Sequence, residues 1–375
     1  MNIAINTRFL IKDKLEGIGW FTYETVKRLC ENHPEHTFIL FFDRKYHEEF
    51  VFSKNVVPVI MYPPARHPLL WRIWFHYNLP KILIKYKAEA LISTDGFIPL
   101  KLHIPTLNVI HDINFEHIPH ALKRSVKNYY KKFFPKYAKQ ATRIATVSEF
   151  SKQDIVKTYS IDASNIDVVY NGANITYTPI SEEEKTVTKQ KYTQGKDYFI
   201  FIGSLHPRKN IPRLLQAFDN FKASDDSEMQ LLIVGEAMFL TDEIKTTYET
   251  LAFKKDVQFT GRVSTEDLHK ILGSAFTMTF VPYFEGFGIP ILEAMFCDIP
   301  VISSNVTSMP EVGGDAVLYV DPFSVSDITK AMTKIANDKE LRDTLIAKGR
   351  IQREKFSWDK TAELLWNSFQ QCLKK

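Results

Sequence analysis

Cysteine is scarce in this sequence: Cys30, Cys297 and Cys372 are the only three. They are odd in number and far apart, with no Cys-x-x-Cys and no histidine at metal-ligand spacing. That excludes a disulfide framework and argues for a reducing compartment and against a zinc site. Long apolar runs are missing as well. None reaches the ~18 residues that a membrane-spanning helix needs, the longest being short pieces such as 38–42. The opening Met1-Asn-Ile-Ala-Ile-Asn has no basic flank, apolar core and small-residue cleavage site. It therefore reads as a first buried strand and not as a signal peptide, with the cytoplasm as the expected location. Short-period repeats and low-complexity tracts are absent too, which excludes solenoids.

Charge of one sign is concentrated in one place. The chain as a whole carries only +4, yet residues 61–145 hold 14 Lys or Arg against 4 acids, so that segment is +10 and the remainder −6. Aromatics are interleaved with these cations, in Trp71-Arg-Ile-Trp-Phe-His-Tyr and Tyr129-Tyr-Lys-Lys-Phe-Phe. Such a stretch is either a solvated helix face with its aromatics in the core, or a surface that meets anionic lipid headgroups or an anionic acceptor. No nucleic-acid-binding module is visible, so nucleic acid is not an expected partner.

Short β-branched or aromatic runs alternate with helical segments of ten or more residues, twice over, which is a parallel α/β pattern. Strands are expected at 3–6, 37–42, 57–61, 90–93, 106–110, 143–147 and 166–170, with helices such as 18–30 and 122–139 between them. A polar stretch at 173–196, carrying Ser181-Glu-Glu-Glu-Lys, interrupts the pattern and reads as a linker with one surface helix. The alternation then restarts, with strands expected at 198–203, 230–234, 257–260, 277–281, 300–303 and 317–320. Two similar doubly wound domains follow, at 1–172 and 197–355. The end, 356–375, reads as an amphipathic helix introduced by Ser357 and bearing Leu364, Leu365 and Phe369. In open α/β sheets ligands bind beyond the carboxyl ends of strands, so functional residues are sought just after them.

The most informative segment is Pro282-Tyr-Phe-Glu-Gly-Phe-Gly-Ile-Pro-Ile-Leu-Glu. Gly286 and Gly288 can bring backbone N–H groups to an anion at the start of the following helix, where the macrodipole favours negative charge. Glu285 lies before that helix and Glu293 inside it. Two other pairs follow strands: Arg208-Lys209, two adjacent cations, and His111-Asp112. Ser148, with Ser151 three residues on, suits a helix cap. Gly17-Ile-Gly19 with Asp43 superficially suits a dinucleotide fingerprint, but the loop is too long and Thr22 stands where the third glycine belongs.

Glu285 to Glu293 with Gly286-Phe-Gly between them resembles the E-x7-E signature of retaining nucleotide-sugar glycosyltransferases of family four, group 1. Phe201-Ile-Gly-Ser-Leu-His-Pro-Arg-Lys-Asn-Ile, Leu232-Ile-Val-Gly-Glu, Val257-Gln-Phe-Thr-Gly-Arg-Val and Ser308-Met-Pro-Glu-Val-Gly-Gly-Asp-Ala resemble further segments of that family. The likeness spans nearly the whole chain and is greatest to mannosyl- and related transferases of bacterial surface polysaccharides, whose first loop reads like Gly17-Ile-Gly-Trp-Phe-Thr. It implies the GT-B fold, two Rossmann-like domains facing each other across a cleft. The N-terminal domain would bind acceptor and the C-terminal one donor, with the last helix crossing back to the first domain. It also implies that Arg208 and Lys209 neutralise the donor diphosphate beyond the Gly203 turn. Glu293 would accept from the ribose, and Glu285 would lie by the donor sugar. Gly286, Phe287 and Gly288 would give backbone contacts, and Gly261, Arg262 and Val263 would receive the base. His111 would stand beside the donor sugar, and Gly17 and Gly19 would let the backbone approach the diphosphate or acceptor. One departure is that many relatives have Arg directly after the first strand's glycine, where Ser204 stands here.

The reaction implied is transfer of a hexose, GDP-mannose being the first candidate donor, to a hydroxyl of a lipid-linked or polysaccharide acceptor. No cofactor is expected, and since Asp-x-Asp occurs nowhere in the chain, neither is a metal. Residue types are compatible with an enzyme nucleophile or with a same-face ion pair. The alternatives are a catalytically silent sugar-nucleotide-binding or scaffold protein of the same fold, a retaining hydrolase with paired carboxylates, and an NAD oxidoreductase. The basic aromatic segment leaves peripheral contact with an anionic membrane, at its inner face, as an expectation.

Overall fold

A computed structural model describes residues 1–174, 176–224, 227–236 and 242–374, the side chain of His120 excepted. It divides into two units, one of Met1–Gly172 with the C-terminal segment from Ser357, the other of Ala173–Phe356.

The first unit is built on seven parallel strands: β1 (Asn2–Asn6), β2 (Thr37–Phe42), β3 (Val56–Ile60), β4 (Ala90–Ser93), β5 (Thr106–Val109), β6 (Arg143–Thr146) and β7 (Ile166–Val168). Their order is β3-β2-β1-β4-β5-β6-β7, with Ile5 registered against Leu40 on one side and Ile92 on the other. Strands covered on both faces need continuous apolar sequence. Thr-Phe-Ile-Leu-Phe-Phe of β2 is such a run, buried at every residue after Thr37. Helices supply the parallel crossovers. The helix Glu149–Tyr159 is capped by Ser148, whose hydroxyl accepts from the Ser151 amide at 3.0 Å.

The basic aromatic stretch separates its two residue types. Trp71, Trp74, Phe75, Tyr129, Phe134 and Tyr137 are buried in one core cluster, while Arg72, Lys81, Lys85, Lys131, Lys132, Lys136 and Lys139 are exposed. The C-terminal helix Trp358–Leu373, capped by Ser357, packs on the helix Gly17–Asn32. Asp359 accepts from Arg28 at 2.6 Å, and Trp366 stacks on His33 at 3.7 Å. Gly172 makes the approach possible, because a Cβ there would stand 2.4 Å from the Trp358 nitrogen.

The second unit opens with a helix, Glu182–Thr193, begun by a reciprocal capping box between Ser181 and Glu184. Six parallel strands follow: β8 (Tyr198–Ile202), β9 (Gln230–Val234), β10 (Val257–Gly261), β11 (Thr277–Phe280), β12 (Val301–Ser304) and β13 (Val317–Val320). Their order is β10-β9-β8-β11-β12-β13. In both sheets the order reverses beside the first strand, between β1 and β4 and between β8 and β11. Those are the two topological switch points, where the loops part and leave a crevice.

Candidate functional site

At the β8–β11 switch point the loops after the two strands meet. After β8 the chain turns at Gly203, whose φ of +149° only glycine holds without strain. It then makes a short 3-10 turn over Pro207–Lys209, begun by His206, whose ring accepts from the Arg208 amide. Asn210 closes that turn in the left-handed region, at φ +63°. Its buried amide group donates to the carbonyls of Val281 at 3.0 Å and Pro322 at 2.7 Å, tying three loops together.

The loop after β11 brings Glu285 against both cations. Its carboxylate ion-pairs with Arg208 and with Lys209, and all three groups are at least four-fifths buried. Burial alone would push the Glu285 carboxyl up, but Arg208 and Lys209 outweigh it and hold its pKa down, to about 2. Two cations on one carboxylate leave this cluster net positive. It lies directly before the helix Ile289–Phe296, whose N-cap is Gly288 at φ +99° with no side-chain cap among the described residues; Pro290 has no N–H and the Ile291 amide donates to the Gly288 carbonyl at 3.0 Å, which leaves the Ile289 amide at the helix start. Positive charge and a helix N-terminus together suit a diphosphate.

Further contacts hold this loop. Ser308 donates to the carbonyls of Glu285 at 2.9 Å and Phe287 at 3.1 Å, and Met309 fills the space beside Gly288, where a Cβ would lie 2.6 Å from its methyl carbon. Phe287 packs edge-on to Phe356. Gly286 has no left-handed backbone angle. Glu293, inside the helix, behaves oppositely to Glu285: burial raises its pKa to about 7, only partly offset by a hydrogen bond from the Tyr177 hydroxyl. On the far side of β8, Gly235 directly follows β9 and comes so close to Gly203 that a Cβ would overlap its carbonyl oxygen at 1.9 Å. Gly261 ends β10 at φ +69° with open space around it. Arg262 follows at 4.0 Å from Glu236, and Val263 comes next.

In the first unit His111 follows β5. Its Nε2 stands 2.9 Å from the Thr94 carbonyl oxygen and therefore donates, which leaves Nδ1 as the acceptor nitrogen of a neutral ring. Burial lowers its pKa, against the pull of that hydrogen bond and of Asp112 and Asp95. Phe21 meets the ring edge-on at 4.8 Å. Gly17 and Gly19 form the first turn of the helix Gly17–Asn32. A Cβ at Gly19 would press on the Phe9 carbonyl at 3.0 Å, whereas Gly17 has open space. Asp43, the acid of the rejected dinucleotide reading, is buried and engaged by Arg44 at 2.6 Å and by the Ala65 amide at 3.0 Å.

Two family models match the chain. Glycosyl transferases group 1 covers residues 182–352 and Glycosyltransferase Family 4 covers residues 15–177. The chain belongs to the group 1 glycosyltransferases. Among relatives of this glycosyltransferase, the O-antigen chain mannosyltransferase B of Escherichia coli is 29% identical over 96% of this chain and 97% of its own length. The O-antigen chain mannosyltransferase RfbU of Salmonella typhimurium is 28% identical over 80% of each. Among solved structures, WaaG, a glycosyltransferase involved in lipopolysaccharide biosynthesis, superposes with a TM-score of 0.78 at 14% identity over the whole of both chains. Anabaena HepE, in complex with UDP and glucose, gives 0.77 at 15% identity, over 99% of this chain and all of its own. These likenesses establish the GT-B fold.

The second unit of the glycosyltransferase thus brings Arg208, Lys209, Glu285 and Gly288 together around one helix start, with Gly203 at the turn before them. Gly261, Arg262 and Val263 lie at the edge strand of the same sheet, and His111, Gly17 and Gly19 belong to the first unit. Sequence reasoning missed Tyr177, Asn210, Gly235 and Ser308. Of these, Asn210 carried a usable signal, an asparagine closing a short turn where the left-handed region is needed. Gly235 carried another, as the residue directly after an apolar strand.

Proposed function

We propose that this glycosyltransferase moves a hexose from a nucleoside diphosphate sugar to a hydroxyl of a polysaccharide or lipid-linked acceptor in surface glycan synthesis. Mannose carried by GDP is the first candidate, because the relatives just described are named as O-antigen mannosyltransferases. The observation that carries the reading is the cluster of Arg208, Lys209 and Glu285 at the switch point, net positive and set against a helix N-terminus. In the step, the bond from the anomeric carbon to the diphosphate oxygen breaks and its electron pair leaves with the diphosphate. The acceptor oxygen forms the new bond, and its proton is taken up by the departing phosphate. Arg208, Lys209 and the helix start with its Ile289 amide neutralise the leaving charge, which requires no metal. Glu285 orients both cations and lies by the donor sugar, between the backbone contacts of Gly286, Phe287 and Gly288. Glu293 accepts from the ribose, and Gly261, Arg262 and Val263 receive the base. His111, through Nδ1, accepts from a sugar hydroxyl, and Gly17 and Gly19 give backbone room to the substrates. In this reading residues 1–172 bind acceptor, 197–355 bind donor, 173–196 link them, and the helix from 356 returns to the first domain.

Retention of anomeric configuration is part of the same proposal. So is peripheral contact with an anionic membrane at the cytoplasmic face, for which the helical run 68–85 is the candidate surface. It exposes Leu69, Tyr77 and Ile84, the last at 79%, among Arg72, Lys81 and Lys85. A thermal-shift panel of GDP-, UDP- and dTDP-sugars identifies the donor, since a ligand of the native state raises its stability. Product NMR then reads the anomeric configuration. A shift from one nucleotide family and a retained anomer are expected, with turnover undiminished in chelator. Binding without release of nucleoside diphosphate to any of a broad set of acceptors would instead establish the silent scaffold.

A further inference from the structure

The loop after β13 carries Phe323, 59% exposed. Single exposed apolar side chains are ordinary; what distinguishes this one is the way it is held. Its ring stacks on Tyr283, with centroids 5.0 Å apart and planes within 11°. Tyr283 is itself fixed from two sides. Its amide donates to the Arg208 carbonyl at 2.8 Å, and its hydroxyl accepts from Arg213, whose guanidinium lies 5.3 Å from the ring centroid. The preceding Pro322 carbonyl accepts from Asn210, the residue directly after Lys209. Phe323 is therefore the outer face of a fixed aromatic stack joined to the cation cluster through Tyr283, Asn210 and the backbone of Arg208.

We propose that the Tyr283–Phe323 stack is a binding platform for a pyranose ring of the acceptor glycan, a contact that the donor-binding unit adds to the acceptor site of residues 1–172. The inference rests on the glycosyl-transfer reading above and adds a subsite to it. A pyranose presents a face of C–H groups that packs on an aromatic ring while its hydroxyls stay in water, and the platform needs no charge to hold it. Strand order argues for a sugar over the nucleobase. Gly261, Arg262 and Val263 follow β10 at one edge of the sheet and Phe323 follows β13 at the other, with β8 and β11 and their cation cluster between them. A donor whose base lies toward β10 and whose diphosphate lies at the cluster leaves the β13 side to saccharide.

The test uses the full chain and three probes, α-linked mannotriose, maltotriose and chitotriose, with wild type, Phe323→Ala and Phe323→Trp. Saturation-transfer NMR and titration read glycan binding, and the thermal shift by GDP and UDP reads the donor site separately. The wild type is expected to bind at least one trisaccharide through its ring protons. Phe323→Ala should weaken that affinity about tenfold, one decade in Kd, and Phe323→Trp should restore it. The nucleotide shift and Tm should be the same in all three proteins. A wild type that binds none of the trisaccharides, or equal affinity in Phe323→Ala, overturns the platform. Loss of the nucleotide shift in Phe323→Ala overturns it in favour of base stacking. Absence of any nucleotide shift in the wild type counts against the donor reading itself, whatever the trisaccharides do.

Discussion

The two sheets share a topology and use their switch points in opposite ways. Between β1 and β4, Arg8 ion-pairs with Asp95, both almost wholly buried. The Asp95 carboxylate also accepts from Asn6 at 2.8 Å, the Phe97 amide at 3.2 Å and the Ser93 hydroxyl at 3.3 Å. Arg8 donates to the Ala65 carbonyl and lies against the rings of Phe9, Phe75 and Phe97. One charge of each sign, with hydrogen bonds to both, makes a structural lock. Between β8 and β11 the Glu285 carboxylate meets two cations beside a glycine-capped helix, so these three groups together are positive. The stoichiometry of charge, rather than the fold, separates the lock from the ligand site.

Removing one charge from each crevice should break the comparison cleanly. Arg8→Ala leaves Asp95 buried without its cation and should cost about 3–5 kcal/mol of stability, read as a fall in Tm. Lys209→Ala leaves Glu285 paired with Arg208, so Tm should move little while kcat/KM falls by about 10²–10³. If the two variants exchange phenotypes, the assignment of lock and site is wrong. A smaller effect is expected from Gly288→Ala, which places a Cβ at φ +99° against Met309. Strain of this kind costs about 1–3 kcal/mol, and nucleotide affinity should fall with it.

The smallest effect sharpens the contrast between the two carboxylates of the E-x7-E segment. Glu285, held at about 2, contributes stability that is complete above the ordinary Glu pKa and is lost as pH falls toward 2. Glu293, raised to about 7, favours the protonated fold, so its contribution is complete below the ordinary Glu pKa and is lost as pH rises from there to about 7. Partial solvent contact of Glu293 blunts that loss. Denaturant titrations of Glu293→Gln should therefore show a flatter stability profile across this window than the wild type. An unchanged slope would remove Glu293 as its source.

Much of this architecture is legible in the sequence, for a physical reason. Strands buried on both faces are largely apolar, so 37–42, 90–93 and 230–234 can be read at both ends, as can the half-buried edge strand 317–320, and the other expected strands differ from those observed by one or two residues. In the segment at 166–170 the strand ends at Val168, and the Val169 amide still donates to the Thr146 carbonyl at 2.7 Å. What the chain does not declare is pairing across distance. Nothing near Glu285 announces that both cations of Arg208-Lys209 turn onto it, nor does anything near Arg8 point to Asp95. The basic segment announces its charge but not its faces, because a π-helical turn at Trp74–Asn78 shifts the helical period between Pro68–Ile73 and Leu79–Lys85. The family resemblance named Glu293 but gave no sign of Tyr177, which reaches it from the polar stretch read as a linker.

The most direct test of the charge argument is calorimetric titration of GDP and UDP, each beside its parent nucleoside, into wild type and Lys209→Ala. A positive crevice that binds diphosphate predicts that one nucleoside diphosphate binds the wild type. It also predicts that this affinity falls at least about tenfold in the variant, while the weak affinity for the nucleoside stays the same. Equal diphosphate affinity in the two proteins would contradict it, and the β8–β11 crevice would then be a second lock like the first.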